Sequence, residues 1–287
     1  MSRKALIIGS SGLVAPALAR RLREEGWQVR HASRTSEIHL DLAELDMSVL
    51  PRDVDAVFLI AAATSLRRCE DEPDATRIIN VEAPAEIARF YAGKGAHVLM
   101  ISTNLVFDGT LPRVPVTSAR GPSCVYGQQK AELEDALLAL SGPAAVIRIS
   151  KIVESLGQLV ANWSDDLAGS CPISPFRDLV CAPVSLARVI DILVHAAGQR
   201  SAGVFQHSGD RDVDYSEVAR TLCRKMKVPE TLVEPVRGAD LPVPPVALPR
   251  HTTLAEVLPA DFAPKEPEDS SAVLSGFLDR YGTLTKP

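Results

Sequence analysis

Short apolar runs alternate along the first half of the chain with segments whose apolar residues recur every three to four positions. The runs at residues 5–8, 28–31, 56–60, 98–101 and 145–148 read as strands, and most have the continuous hydrophobicity of strands covered on both faces. Helical periodicity lies between them at residues 14–23, 74–92 and 126–140. Gly26 stands just past the first of these helices, and Ser141-Gly142-Pro143 stops the third. Strands alternating with helices predict an α/β chain with a doubly wound parallel sheet. After residue 150 the rhythm weakens to a helix near 186–197, a strand near 204–207 and a helix near 215–227. The proline-rich stretch 241–267 predicts ordered loops and short turns. This pattern divides the chain into residues 1–150, a parallel-sheet domain, and residues 151–287, mainly a smaller lobe with some segments returning to the sheet.

Composition changes this picture little. With 287 residues, 46% apolar and 23% charged, the chain can bury a large core. A formal charge of −5 argues against nucleic acid or an anionic membrane as the main partner. No apolar run approaches the roughly 18 residues of a spanning helix, and Met1-Ser2-Arg3-Lys4 leads directly into the first strand without a signal-peptide core. The expected location is the cytoplasm. Five cysteines, odd in number and without a C-x-x-C pair, suggest neither a disulfide framework nor a zinc site, and the six histidines are scattered. No metal is expected. Cys124, two residues before Tyr126, reads as a small buried apolar residue rather than a reactive thiol.

Three clusters carry chemistry. Gly9, Ser11, Gly12, Leu13 and Val14 join the first strand to the first helix, with the spacing Gly9-x-x-Gly12-x-x-Ala15. Glycines there let the backbone approach a pyrophosphate, which the helix N-terminus attracts through its free N–H groups. The second strand ends in Arg30-His31-Ala32-Ser33-Arg34, with no acid to bind the adenosine ribose hydroxyls and a Ser33-Arg34 pair able to hold a 2′-phosphate. NADP(H) is therefore preferred over NAD(H); otherwise Arg30 and Arg34 are solvated surface charges. Finally, Tyr126-x-x-x-Lys130 puts a phenol and an ammonium on one face of a helix. A lysine beside a tyrosine lowers the phenol's proton affinity, and a hydroxyl from Thr103 or Ser102 could hold a carbonyl oxygen for protonation. Only one of that pair can face a cleft from an extended strand end.

These residues resemble the extended short-chain dehydrogenase/reductase family, and within it the dTDP-4-dehydrorhamnose reductase-like, sugar nucleotide-binding branch. The resemblance rests on Gly9, Gly12 and Ala15; Ala61-Ala62-Ala63-Thr64; Cys69-Glu70 with Pro73 and Ala75; Asn80-Val81; Ser102 to Gly109; Tyr126-Gly127 with Lys130; and Arg148. Weaker likeness continues through Pro183-Val184, Gly203-Val204-Phe205 and Ser208-Gly209. It implies a Rossmann-type sheet with a C-terminal substrate lobe. Asp41 and Leu42 would contact the adenine, while Ala61, Ala62, Ala63 and Thr64 would line the pyrophosphate and ribose. Tyr126 would donate a proton, Lys130 would bind the nicotinamide ribose, and Thr103, whose offset to Val106-Phe107 is the family's, would orient the carbonyl oxygen, with Ser102 near the substrate.

The same resemblance marks departures. Dehydratases of the family carry Asp-Glu after the position of Thr103 and rhamnose-forming reductases carry Asp-Tyr, whereas this chain has Asn104-Leu105. Dehydration is thereby disfavoured. Asn104 could bond a sugar hydroxyl and Leu105 an apolar carbon. Lys151 replaces an aromatic residue usual in the branch, and Arg250 could pair with a diphosphate or with a surface carboxylate. The implied activity is NADPH-dependent reduction of a 4-keto-6-deoxy-hexose nucleoside diphosphate. Two alternatives stay open: a non-catalytic NADP-binding partner protein resembling the regulatory subunit of methionine adenosyltransferase, and a sugar-nucleotide epimerase. A homodimer is also open, although no apolar seam argues for it.

Overall fold

The structure, a computed structural model, describes residues 2–9 and 12–282. Strands β1 (Lys4–Ile8), β2 (Gln28–Ser33), β3 (Ile38–His39), β4 (Ala56–Leu59), β5 (His97–Thr103) and β6 (Ala144–Ile149) lie parallel in the order β3-β2-β1-β4-β5-β6. This is the order of a doubly wound dinucleotide-binding sheet. A seventh parallel strand, made by Gly203–His207, pairs with β6 at the far edge.

Each face of the sheet is covered for a reason visible in its residues. On one face, α1 (Val14–Glu24) packs Ala15, Leu18, Ala19 and Leu22 against Ile7 and Phe58. On the other, α4 (Ala83–Ala92) and α5 (Val125–Leu138) cover Leu6, Val57 and Val98. Between β4 and α4 run α2 (Leu66–Asp71) and α3 (Pro73–Arg77). The single helix expected over 74–92 is thus broken: a π-helical turn at Ile78–Glu82 separates α3 from α4. Pro84, without an N–H, stands just beyond that turn and cannot donate to the helical ladder.

The remaining elements are β7 (Lys151–Ile152), α6 (Gly157–Ala168), β8 (Val180–Cys181), β9 (Pro183–Val184), α7 (Leu186–Gln199), β10 (the edge strand at Gly203–His207), β11 (Val213–Asp214), α8 (Tyr215–Met226) and α9 (Ser270–Leu278). α7 lies beside α1 on the sheet, with Val189, Ile192, Leu193 and Ala196 buried. A third core gathers Trp163 and Leu167 of α6, Val218 and Leu222 of α8, and Leu274 and Phe277 of α9. Residues 241–267 contain no helix and no named strand, as their prolines imply.

That stretch is tied down by a buried histidine. His207 at the end of β10 bonds Glu256 through Nδ1 at 2.7 Å and Glu268 through Nε2 at 3.1 Å. Burial opposes charging of the imidazole, but the two carboxylates outweigh it and hold its pKa above the ordinary value. His97 is the opposite case. It is fully buried at the start of β5, its side chain bonds only the Ser201 carbonyl among the described residues, at 2.9 Å, and its pKa is lowered to about 4 by burial. The unfolded chain takes up a proton there as pH falls below about 6.5, while the folded chain resists until about 4. Stability from this group is therefore complete above about pH 6.5 and is lost as pH falls toward 4. Thermal unfolding between pH 7 and pH 4.5 is expected to show a smaller fall in Tm for His97→Gln than for the parent. Parallel curves would remove His97 from the acid response.

Candidate active site

The carboxyl ends of β1, β2, β4, β5 and β6 open on one cleft of about 940 Å³. It lies where strand order reverses between β1 and β4, the place at which doubly wound sheets take ligands.

The first half of the cleft has the form of a dinucleotide cradle. Gly9 has φ +103°, and a Cβ there would lie 2.6 Å from the Ala61 nitrogen, so no other residue fits without backbone movement. Gly12 lines the cleft with open space where its Cβ would be. α1 follows its N-cap Leu13, which gives no side-chain cap, and has no acid in its first turn, leaving N–H groups for an anion. Leu13 and Val14 line the same wall, while Ser11 lies outside the described residues. Ala61, Ala62, Ala63 and Thr64 form the opposite lip. Ala63 is fixed from both sides by Asn80, whose Oδ1 accepts from the Ala63 N–H at 2.7 Å and whose Nδ2 donates to the Ala63 carbonyl at 3.1 Å. The same Nδ2 reaches Gln129 Oε1 at 2.7 Å, tying this lip to α5.

At the end of β2, Ser33 is buried and Arg34 is exposed, and both line the cleft with Asp41 and Leu42. Arg30 is drawn away to Glu37 at 3.4 Å. The Arg34 guanidinium, by contrast, is in no ion pair among the described residues. Asp41 uses its carboxylate to cap the following turn at Ala43.

The reacting groups stand at the next strand. Thr103 and Tyr126 both line the cleft, and Lys130 lies one helical turn behind Tyr126, only 4% exposed and with no side-chain hydrogen bond among the described residues. Thr103 Oγ1 accepts from the Leu105 N–H at 3.2 Å, which leaves its own proton available. Ser102 is at the back of the cleft, 2% exposed, and donates to Glu134 at 2.5 Å. The two hydroxyls are thus separated in role by the strand end. Burial lowers Lys130 to about 8, with Glu134 acting against it. The Tyr126 phenol, expected to be eased by the lysine, is instead pushed up: enclosure dominates, and the neighbouring Cys69 and Cys124 thiols add to it. Gly127 explains how α5 comes so close, since a Cβ there would meet the Leu105 carbonyl at 2.2 Å.

Beyond this point Asn104, Leu105, Ser150, Lys151, Cys181 and Tyr215 continue the lining, closed by Pro245, Ala247 and Pro249 of the proline-rich stretch. Arg250, exposed and next to Pro249, is not among the lining residues. Sequence reasoning named Asn80 without a role and passed over Gln129 and Glu134, which position the site from beneath. The i, i+4 offset of Glu134 from Lys130 was a readable signal; Gln129 had none.

A family described as RmlD substrate binding domain matches residues 3–268. Methionine adenosyltransferase 2 subunit beta of Xenopus laevis is 27% identical, over 84% of this chain and 77% of that protein. A probable low-salt glycan biosynthesis reductase, Agl14, of Haloferax volcanii is 26% identical over 97% of this chain and 99% of that protein. In fold, the chain is similar to dTDP-4-dehydrorhamnose reductase of Bacillus anthracis in complex with NADP, with a TM-score of 0.81, 19% identity, and coverage of 98% of this chain and 99% of that one.

Proposed function

This chain belongs to the RmlD substrate binding domain family, and on that footing we propose that it is an NADPH-dependent reductase of keto sugar nucleotides, acting in the cytoplasm. The observation that carries the reading is the meeting of Thr103 and Tyr126 on one cleft, with Lys130 behind them, beside a glycine cradle shaped for a pyrophosphate. When bound, NADPH supplies the hydride. Gly9, Gly12 and the start of α1 would hold its pyrophosphate, Arg34 and Ser33 its 2′-phosphate, and Lys130 its nicotinamide ribose. Thr103 keeps its proton and orients the substrate carbonyl oxygen by donating a hydrogen bond to it. Tyr126 holds a proton on its phenol, kept there by enclosure, and releases it to the same oxygen as the carbonyl becomes an alcohol. The 4-keto-6-deoxy-hexose nucleoside diphosphates are the first class to try. Loss of NADPH absorbance on mixing with one of them supports the reading; none across a uridine and thymidine panel that also holds keto sugars without the 6-deoxy carbon refutes it.

A second reading, a cofactor-binding partner protein, is favoured by the likeness to methionine adenosyltransferase 2 subunit beta. It predicts NADPH binding without turnover. The retained Thr103, Tyr126 and Lys130 weigh for the enzyme.

Cofactor choice has its own test. Arg34→Ala is expected to weaken NADPH binding about tenfold to a hundredfold, as loss of a charged hydrogen bond does, and to leave NADH nearly unchanged. Equal weakening of both, followed by fluorescence titration, would show that Arg34 holds no 2′-phosphate.

A further inference from the structure

The far wall of the cleft is charged in one sense only. Four charged side chains line the cavity: Arg34, Asp41, Arg68 and Lys151. Arg34 and Asp41 stand on the cofactor side, and Arg68 is paired with Glu72 at 3.0 Å. Lys151 is exposed and has neither an ion pair nor a side-chain hydrogen bond among the described residues. No carboxylate joins it on the wall contributed by residues 149–252.

Its position relative to the reacting groups follows from the sheet. Ile149 is the parallel partner of Thr103, and Lys151 is two residues further on, about 7 Å along the strand. A lysine side chain is long enough to span that distance toward a sugar held against Thr103 and Tyr126. Lys151 is set by pairing with Pro183 across β7 and β9. Nearby, Tyr215 opens α8 with its N–H on the Leu179 carbonyl at 3.2 Å, 9% exposed, lining the cleft, and its hydroxyl makes no hydrogen bond among the described residues. Cys181 lies close to both: burial pushes its thiol up to about 12, the Lys151 charge pulls against this, and Asp212, Asp214 and Glu217, which do not line the cleft, add to it, while the thiol acts in turn on Tyr215. An ammonium and a phenol hydroxyl, both unpartnered and facing one cleft, suit a two-oxygen anion. The neutral Asn104, which also lines the cleft, does not repel one.

We propose that Lys151 and Tyr215 form a subsite for a carboxylate on the sugar, so that the substrates are keto sugar nucleotides whose hexose carries an acid group. This rests on the reductase reading of keto sugar nucleotides and moves its substrate class from the 6-deoxy hexoses to hexoses with a terminal acid. The test is equilibrium binding to the full chain saturated with NADP, comparing UDP-glucuronate with UDP-glucose and the thymidine diphosphate pair likewise, since each pair differs only at the sugar's terminal carbon. The acid form is expected to bind about tenfold more tightly. Lys151→Met should bring that ratio close to one without changing the glucose form, and Tyr215→Phe should reduce it by about threefold. Equal weakening of both forms by Lys151→Met assigns the lysine to the diphosphate and overturns the proposal, as does a parent protein with no preference. Failure of all four ligands to bind, in a sample that still titrates NADPH, refutes the sugar-nucleotide reading itself and this subsite with it.

Discussion

Tyr126→Phe is expected to lower turnover by about a thousandfold, within the span assigned to a positioned proton donor, while NADPH binding stays within about twofold. The asymmetry follows from placement. The phenol lines the cleft beside Thr103, whereas the cradle of Gly9, Gly12 and Arg34 lies at other strand ends. Phenylalanine keeps the ring that fills the wall and removes only the proton. Steady-state kinetics on whichever keto sugar nucleotide is turned over, with a cofactor titration on the same preparation, measures both quantities. A variant retaining a tenth of the parent rate would strip Tyr126 of its role and move the proton donor to Thr103 or a bound water.

The second large effect concerns the buried pair beneath the site. Glu134, fully buried on α5, takes Arg148 Nη2 at 2.7 Å and Nε at 3.0 Å, and also Ser102 and Arg120. Arg148, 5% exposed in its side chain, continues to Gln206 Oε1 at 3.0 Å and stacks over Phe107 at 5.1 Å. Removing one member strands a charge in the interior, which costs about 3–5 kcal/mol. Arg148→Met is therefore expected to lower the unfolding free energy by about that amount in a urea titration. The double variant Arg148→Met with Glu134→Leu should recover much of the loss, because no charge is then left unpaired. A single variant as stable as the parent would mean that Arg120 alone satisfies Glu134.

How much of this was legible in the sequence depends on how local each feature is. The six strands of four or more residues follow from apolar runs, and α1, α5, α7 and α8 from periodicity, within a residue or two at each end. α6 was missed although Val160, Trp163, Ser164 and Leu167 repeat at helical spacing, because Gly157 and several polar residues obscure the stripe. α9 was missed for the opposite reason, being apolar on most sides and only nine residues long. Within the break of the 74–92 helix stands Asn80, and what it holds there, Ala63 and Gln129, lies 17 and 49 residues away. Likewise the clamp on His207 joins residues 49 and 61 positions apart, and no window of sequence contains it. Motif spacing, by contrast, was enough to bring Thr103, Tyr126 and Arg34 to one cleft.

The outermost strand of the sheet, β10, has a consequence for the order in which the molecule can form. It comes from residues 203–207, after more than fifty residues that mostly build another core, and α7 just before it covers the face that α1 shares. A chain emerging from the ribosome can pair β1 to β6, yet it cannot close their far edge or seal that face until β10 has been made. Until then the β6 edge offers free N–H and C=O groups to any passing strand, and the slow, long-range pairing that ends this exposure sets the interval during which a chaperone would be most useful.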